Sequence, residues 1–218
     1  MCKMKKLCIF DFDGTLVDTA TDVAAAFQEA AKINGFPVPE KKEIFEQIGQ
    51  NLDVIVHNLL PKDAQTERNI DKYKKSYREL YKKSNKDNTA PFEGMIELLA
   101  ELKNKGYSLA VNSNKPQEIL GGMVYQYFPP NTFDYIIGYV EGRPSKPDPY
   151  GVNVIIEQAE VSKENVIYIG DGLNDILTAH NAGVEIIYVT WGPCLVQGLE
   201  KREVKNIVDS VEELRRIL

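Results

Sequence analysis

Four short stretches set acids, a hydroxyl or a lysine directly after apolar runs. The first is Asp11-Phe12-Asp13-Gly14-Thr15-Leu16. Carboxylates at i and i+2 at a strand end lie on the same side. Two like charges held together cost free energy unless a cation joins them. The plainer alternative is a solvated strand-end turn, with Gly14 permitting the bend. The second stretch is Gly170-Asp171-Gly172-Leu173-Asn174-Asp175. If Asp171 opens a helix, Asp175 sits one turn on, on the same face. Asp171 as an N-cap of a helix closed by Gly183 is the alternative, and it leaves Asp175 unexplained. The third is Asn112-Ser113-Asn114-Lys115-Pro116. A hydroxyl, an amide and free backbone N–H groups at a helix start suit a phosphate; a Ser/Asn cap with Lys115 in solvent is the other reading. The fourth, Arg143-Pro144-Ser145-Lys146-Pro147-Asp148-Pro149, is stiffened by proline, which limits where Lys146 can point. Its plain reading is a surface lysine in a rigid turn.

The elements that must position these residues alternate in kind. Residues 7–10, 108–111, 135–137, 166–169 and 185–189 are short and almost unbroken by charge. Such runs suit strands buried on both faces, as in a parallel sheet. Between them lie helical patterns. Met95, Ile96, Leu98, Leu99 and Leu102 form a stripe with Gly106 as a C-cap signal. Val152, Ile155 and Ile156 repeat at helical spacing, and Ser210 with Glu213 forms a capping-box pair ahead of Leu214, Ile217 and Leu218. The expected fold is α/β, an open parallel sheet flanked by helices with right-handed crossovers. The chemistry-bearing stretches then fall at the carboxyl ends of its strands, where such sheets bind ligands. From about residue 18 to residue 90 no strand pattern occurs. Val23, Phe27 and Ala30, then Leu52, Ile55 and Leu59, then Ile70, Tyr73, Tyr77 and Leu80 line three helix faces. This is an inserted all-helical module of small-domain size.

Composition bounds the function class. The chain has 218 residues, 43% hydrophobic and 27% charged, with a net charge of −6. That excludes a disordered or fibrous chain. A pI near 5.1 argues against a general nucleic-acid binder. No run of eighteen apolar residues predicts a membrane span, and the apolar stretch before Asp11 is too short for a signal peptide. Cys2, Cys8 and Cys194 are odd in number and form no C-x-x-C, which suits a reduced, cytoplasmic protein. His57 and His180 are isolated and receive no role. The run Lys72, Lys74, Lys75, Arg78, Lys82 and Lys83 reads as a solvated helix face.

Taken together, the four stretches resemble the signature of the haloacid-dehalogenase-like (HAD) superfamily. Within it, the chain is most similar to the phosphoglycolate-phosphatase-like members, whose helical cap follows the first strand. The first motif matches at Asp11 through Thr19, the second at Ser113-Asn114, the third at Lys146-Pro147, and the fourth at Gly170-Asp171 through Asp175. The resemblance implies a Rossmann-like core of residues 1–17 and 90–218 and a cap of residues 18–89. It implies a Mg²⁺-dependent phosphatase acting on a small phosphorylated metabolite, with no nucleic-acid or membrane partner, as a monomer or weak homodimer. Asp11 would be the nucleophile and Asp13 the acid/base. Ser113, Asn114 and Lys146 would bind the phosphoryl group. Mg²⁺ would be held by an Asp11 oxygen, the Asp13 backbone carbonyl, Asp171 and, directly or through water, Asp175. Hinges near residues 17–19 and 89–91 would let the cap close, with Gly49-Gln50-Asn51-Leu52 facing the substrate. Dehalogenases and phosphonate hydrolases replace the second aspartate, which is present here. Sugar-phosphate mutases add a histidine early in the cap, and residues 18–35 contain none. A pyrophosphatase or a non-catalytic binding module of the same fold are the further alternatives.

Overall fold

The computed structural model describes residues 6–194, 196–199 and 204–218, so Cys2 lies outside the described residues. The chain begins with β1 (Lys6–Phe10), β2 (Val17–Asp18), α1 (Ala20–Asn34), α2 (Lys41–Phe45), α3 (Leu52–Leu59) and α4 (Glu67–Lys83). It continues through β3 (Ala90–Pro91), α5 (Met95–Asn104), β4 (Tyr107–Pro116), α6 (Gln117–Tyr127), β5 (Tyr135–Tyr139) and α7 (Tyr150–Ala159). It closes with β6 (Val166–Gly170), α8 (Leu173–Ala182), β7 (Glu185–Val189), β8 (Asn206–Val208) and α9 (Val211–Ile217). No helix among the described residues is long and apolar enough to cross a membrane.

Six strands form one sheet in the order β5-β4-β1-β6-β7-β8, all parallel neighbours. This is an α/β Rossmann-like fold. Its central strand is β1, whose Leu7, Cys8, Ile9 and Phe10 are fully buried. Alternate side chains of β1 enter two different apolar clusters, Leu7 and Ile9 on one face and Cys8 and Phe10 on the other. A strand covered on both faces must be apolar at every position, hence the unbroken run.

Two elements depart from the sequence expectation. β4 does not stop at Val111: it runs on to Pro116, and β5 pairs with it out to Pro116↔Tyr139 across a register shift. Ser113 and Asn114 therefore sit on extended backbone, and the helix starts only at Gln117. β8 is a three-residue edge strand with Ile207 46% exposed, and it carries no buried-strand pattern.

Helices α1–α4 lie between β2 and β3, which pair antiparallel as Val17↔Pro91 and Asp18↔Ala90. Beside this pair Asp22 accepts from the Asn88 backbone N–H at 3.0 Å, the Asn88 amide at 3.0 Å and the Thr89 hydroxyl at 2.6 Å. Those bonds hold its carboxyl below the usual value, against the upward push of burial. The helical layer packs around aromatic rings. Phe27 stacks on Tyr77 at 3.9 Å and meets Tyr73 edge-on at 6.1 Å. Rings of this size contribute about 1.5–3 kcal/mol each when buried. The last turn of α4 reaches the sheet layer, where the Tyr81 hydroxyl donates to the Met123 sulfur at 3.7 Å.

Candidate active site

β1 ends at Phe10, and the chain turns within Asp11–Leu16. The Gly14 N–H closes that turn on the Val17 carbonyl at 2.9 Å. Gly14 has φ +84°, and a Cβ there would run into the Asp171 carboxylate. A side chain at Gly192 would strike the same carboxylate. Two backbone segments thus approach Asp171 as closely as only glycine allows.

Strand order brings the acids together. β4, β1 and β6 are neighbours, so the ends of β1 and β6 put Asp11, Asp171 and Asp175 side by side. One oxygen from each lies within 4.8 Å of the others, and all three residues are buried. Lys146, on the loop after β5, donates from Nζ to Asp11 Oδ1 and to Asp175 Oδ1, both at 2.7 Å. Thr15 donates to Asp171 Oδ1 at 3.0 Å. Asp11 Oδ2 is buried and has no hydrogen-bond partner among the described residues. Burial, together with the Asp175 charge, pushes the Asp11 carboxyl up to about 7 despite the pull of Lys146. Burial and the Asp11 and Asp175 charges also hold Asp171 well above its usual value. Burial alone would lower the Lys146 ammonium; the Asp11 and Asp175 carboxylates outweigh it and raise it well above normal. Three buried carboxylates facing one lysine are short of positive charge. An all-oxygen donor set with an orphaned carboxylate oxygen fits a hard divalent cation.

Asp13 faces the other way. Its Oδ1 accepts from the Thr19 hydroxyl at 2.6 Å and lies 3.0 Å from Lys115 Nζ. Its carboxylate is therefore separate from the triad. Lys115 is not in solvent, as a capping turn would have it; its side chain is only 5% exposed, and Nζ lies 4.7 Å above the Tyr81 ring. Lys115, Thr15 and Thr19 were not singled out in the sequence. The signal that could have found Lys115 is its i+2 spacing from Ser113, which puts both on one face of an extended strand.

Ser113 is buried next to this pair, and its hydroxyl accepts from the Lys115 N–H at 3.2 Å. The Asn114 side chain braces the Lys146 loop. Its Oδ1 accepts from the Lys146 N–H at 2.9 Å, and its amide donates to the Lys146 and Gly49 carbonyls at 3.2 and 3.1 Å. The capping expectation for the second stretch, residues 170–175, is reversed. Asp175 Oδ2, not Asp171, accepts from the Gly172 N–H at 2.9 Å at the start of α8, so capping accounts for Asp175 and leaves Asp171 free of that task. Tyr168 adds its hydroxyl to Asp175 Oδ1 at 3.2 Å.

The segment Gly49–Leu52 does face the site. The Asn174 amide donates to the Gly49 carbonyl at 3.4 Å, and the Asn51 amide donates to the Ser145 hydroxyl at 3.2 Å. A cavity of about 390 Å³ opens between Glu46, Gln50, Asn174 and the acids Asp171 and Asp175. Trp191 donates from its indole N–H to the Thr15 carbonyl at 3.1 Å, which fixes it beside the first turn.

The chain is similar to known proteins along nearly its whole length. The family model described as haloacid dehalogenase-like hydrolase matches residues 8–189. A protein of Vibrio cholerae named phosphoglycolate phosphatase is 29% identical over 99% of this chain and 98% of its own length. A crystal structure of a predicted phosphoglycolate phosphatase from Haemophilus somnus superposes with a TM-score of 0.89 at 25% identity, covering 100% of this chain and 99% of that one. A haloacid dehalogenase-like hydrolase from Streptococcus pneumoniae gives 0.86 at 26% identity, with 98% and 99% covered. The chain belongs to the haloacid dehalogenase-like hydrolases.

Proposed function

We propose that this phosphoric monoester hydrolase is a Mg²⁺-dependent phosphatase for a small, phosphoglycolate-like substrate, working through an aspartyl phosphate on Asp11. The observation that carries the reading is Asp11 itself. It is buried, one oxygen is gripped by Lys146, and the other is orphaned between two further carboxylates. A structural carboxylate would have both oxygens satisfied.

The Asp11 carboxylate attacks phosphorus, the ester P–O bond breaks, and Asp13 gives a proton to the leaving oxygen. A water then attacks the aspartyl phosphate and passes a proton to Asp13. The bond from phosphorus to Asp11 breaks, which regenerates the carboxylate and frees inorganic phosphate. Thr19 and Lys115 orient the Asp13 carboxylate for both transfers. The Lys146 ammonium neutralises Asp11 and the phosphoryl oxygens, and the Ser113 hydroxyl and Asn114 N–H bind those oxygens. Preorganised charge of this kind is what phosphoryl transfer chiefly requires. Residues for Mg²⁺ are Asp11, Asp171, Asp175 and the Asp13 backbone carbonyl; when bound, it supplies the positive charge that lets a phosphate dianion approach these carboxylates. Residues 18–89 act as a cap that excludes water and sets specificity, hinged at the β2–β3 pair. Gly49–Leu52 supports that reading, because it touches both the Asn114 side chain and the loop after β5.

The test is phosphate release from a panel of small phosphomonoesters and pyrophosphate, with Mg²⁺ and with chelator. Asp11→Asn is expected to reduce release by roughly 10⁴-fold or more. Unchanged release by that variant sinks the nucleophile assignment.

A further inference from the structure

Tyr168 is a buried polar group that the reaction above does not use. Its ring is fully buried in the apolar cluster of Leu7 and Ile9, on one face of the sheet. A phenylalanine would bury the same ring, so packing does not account for the hydroxyl. Three acceptors lie in reach of that hydroxyl: the Asn112 carbonyl at 3.2 Å, the Asn112 side-chain oxygen at 3.3 Å and Asp175 Oδ1 at 3.2 Å. A phenol has one proton to give. The carboxylate is the strongest taker, because a hydrogen bond to an ionised acceptor is about twice as strong as one between neutral groups.

Asp175 is held from several sides. Its Oδ2 accepts from the Gly172 N–H and its Oδ1 from Lys146 Nζ. A Cβ at Gly170 would strike the same carboxylate, so it lies flat against the end of β6. Tyr168 supplies the bond to Oδ1 that comes from within the sheet. Asn112 is braced in turn, since a Cβ at Gly151 in the first turn of α7 would strike its amide. Lys146, by contrast, sits on a loop. Among the described residues its ammonium donates to Asp11 Oδ1 and to Asp175 Oδ1. An ammonium has three N–H donors, so one is left for a phosphoryl oxygen. Where that third donor points depends on how firmly the two carboxylates are held.

We propose that Tyr168 is a positioning residue: its hydroxyl fixes the Asp175 carboxylate and, through it, the place of the Lys146 ammonium beside Asp11. The inference rests on the phosphatase reading above and deepens it. Without the hydroxyl, Asp175 Oδ1 keeps only Lys146, and the two can shift together away from the nucleophile. The ammonium stays in the site and still attracts the substrate, but it no longer meets the charge that develops at phosphorus.

The experiment compares the wild type with Tyr168→Phe, which keeps the ring and its packing. In Mg²⁺-dependent hydrolysis of 2-phosphoglycolate, kcat is expected to fall roughly tenfold to a hundredfold, with KM within about threefold of the wild type, because a small misplacement of a positioned group acts mainly on the reacting geometry. A second measurement needs no turnover. NMR of the lysine side-chain nitrogens reads the Lys146 ammonium in the metal-free protein, its signal identified as the one missing from Lys146→Arg. Its hydrogens are expected to exchange with water at least about fivefold faster in Tyr168→Phe, because the carboxylate that shields them is no longer fixed. In an active enzyme the proposal requires both effects, and the absence of either overturns it. A change confined to the urea midpoint also overturns it, making the hydroxyl a partner of Asn112 alone. If the wild type hydrolyses no ester, the phosphatase reading fails. The exchange comparison then decides whether Tyr168 places Lys146: faster exchange supports it, and unchanged exchange overturns it.

Discussion

Asp11 and Asp13 are two residues apart on one turn, and each faces a buried lysine, yet their surroundings have little in common. Asp11 and Lys146 sit in the sheet layer with two more carboxylates, and one Asp11 oxygen has no partner. Asp13 and Lys115 sit at the boundary with the helical layer, with a threonine hydroxyl on one side and an aromatic ring on the other. The first pair is surrounded by excess negative charge and calls for a cation. The second is balanced, one acid to one base, and its environment is apolar. Identical residue types at i and i+2 thus occupy different surroundings, which suits the division of work proposed for them, Asp11 as nucleophile and Asp13 as acid/base.

The comparison breaks most severely at Lys146. Lys146→Met leaves Asp11, Asp171 and Asp175 without their counter-charge, and removing one partner of a buried pair costs about 3–5 kcal/mol. Urea unfolding in chelator is expected to show that loss, and Mg²⁺ is expected to recover much of it. An unchanged midpoint in chelator would mean that the acids do not need Lys146. A Lys146→Met protein that Mg²⁺ does not stabilise would mean that they are not a metal site.

The next effect is on proton linkage. The metal-free Asp11 carboxyl is raised to about 7, chiefly by burial. A carboxyl raised on folding makes the folded state bind more protons than the unfolded one. Metal-free stability therefore falls as pH rises from about 4 to 7. A cation must displace that proton and any held by Asp171, whose carboxyl is also raised by burial and the Asp11 and Asp175 charges, so Mg²⁺ affinity tightens by at least about tenfold per unit as pH rises toward 7. Calorimetric titrations at pH 5.5, 6.5 and 7.5 check this; a pH-independent affinity would place the metal away from Asp11.

The smallest effect sharpens the second pair. Thr19→Val removes the 2.6 Å hydroxyl contact to Asp13 at nearly constant volume. Losing a hydrogen bond to a charged group is worth about 1.5–3 kcal/mol, so kcat is expected to fall roughly tenfold to a hundredfold. Mg²⁺ affinity should hold, because the proposed metal carboxylates are Asp11, Asp171 and Asp175, and the Thr19 hydroxyl touches only the Asp13 side chain. A fall in Mg²⁺ affinity of similar size would show that the two pairs act as one.

Legibility in the sequence followed burial. The run 185–189 coincides with β7, and the runs at β1 and β6 are each one residue short, because strands covered on both faces exclude charge from their buried positions, Lys6 and Glu185 being exposed first residues. The edge strand β8 had no such constraint and was not visible. The extension of β4 was hidden for a different reason. Asn112-Ser113-Asn114-Lys115-Pro116 has the composition of a turn, yet it is extended because its polar side chains find partners in the site rather than in solvent. Ser210 caps α9 by accepting from the Glu213 N–H at 3.3 Å, as the local pattern required. Asp171 and Asp175 exchanged expected tasks, since the cap was assigned from position alone while Thr15, 156 residues from Asp171 in sequence, claims the first acid.

By itself the sequence determined that this is an α/β chain with a helical insertion, and that its acids, hydroxyl and lysines stand at strand ends. Those properties follow from local periodicity and from residues adjacent along the chain. Which lysine meets which acid was decided only by the tertiary structure. Lys146 reaches Asp11 across 135 residues because strand order, not sequence order, sets neighbours at the sheet edge. Lys115 reaches Asp13 because β4 stays extended for five residues beyond its apolar run, and because Tyr81 of the helical layer closes over it. Charge pairing acts through distances of a few ångströms in space, and linear spacing does not encode those distances.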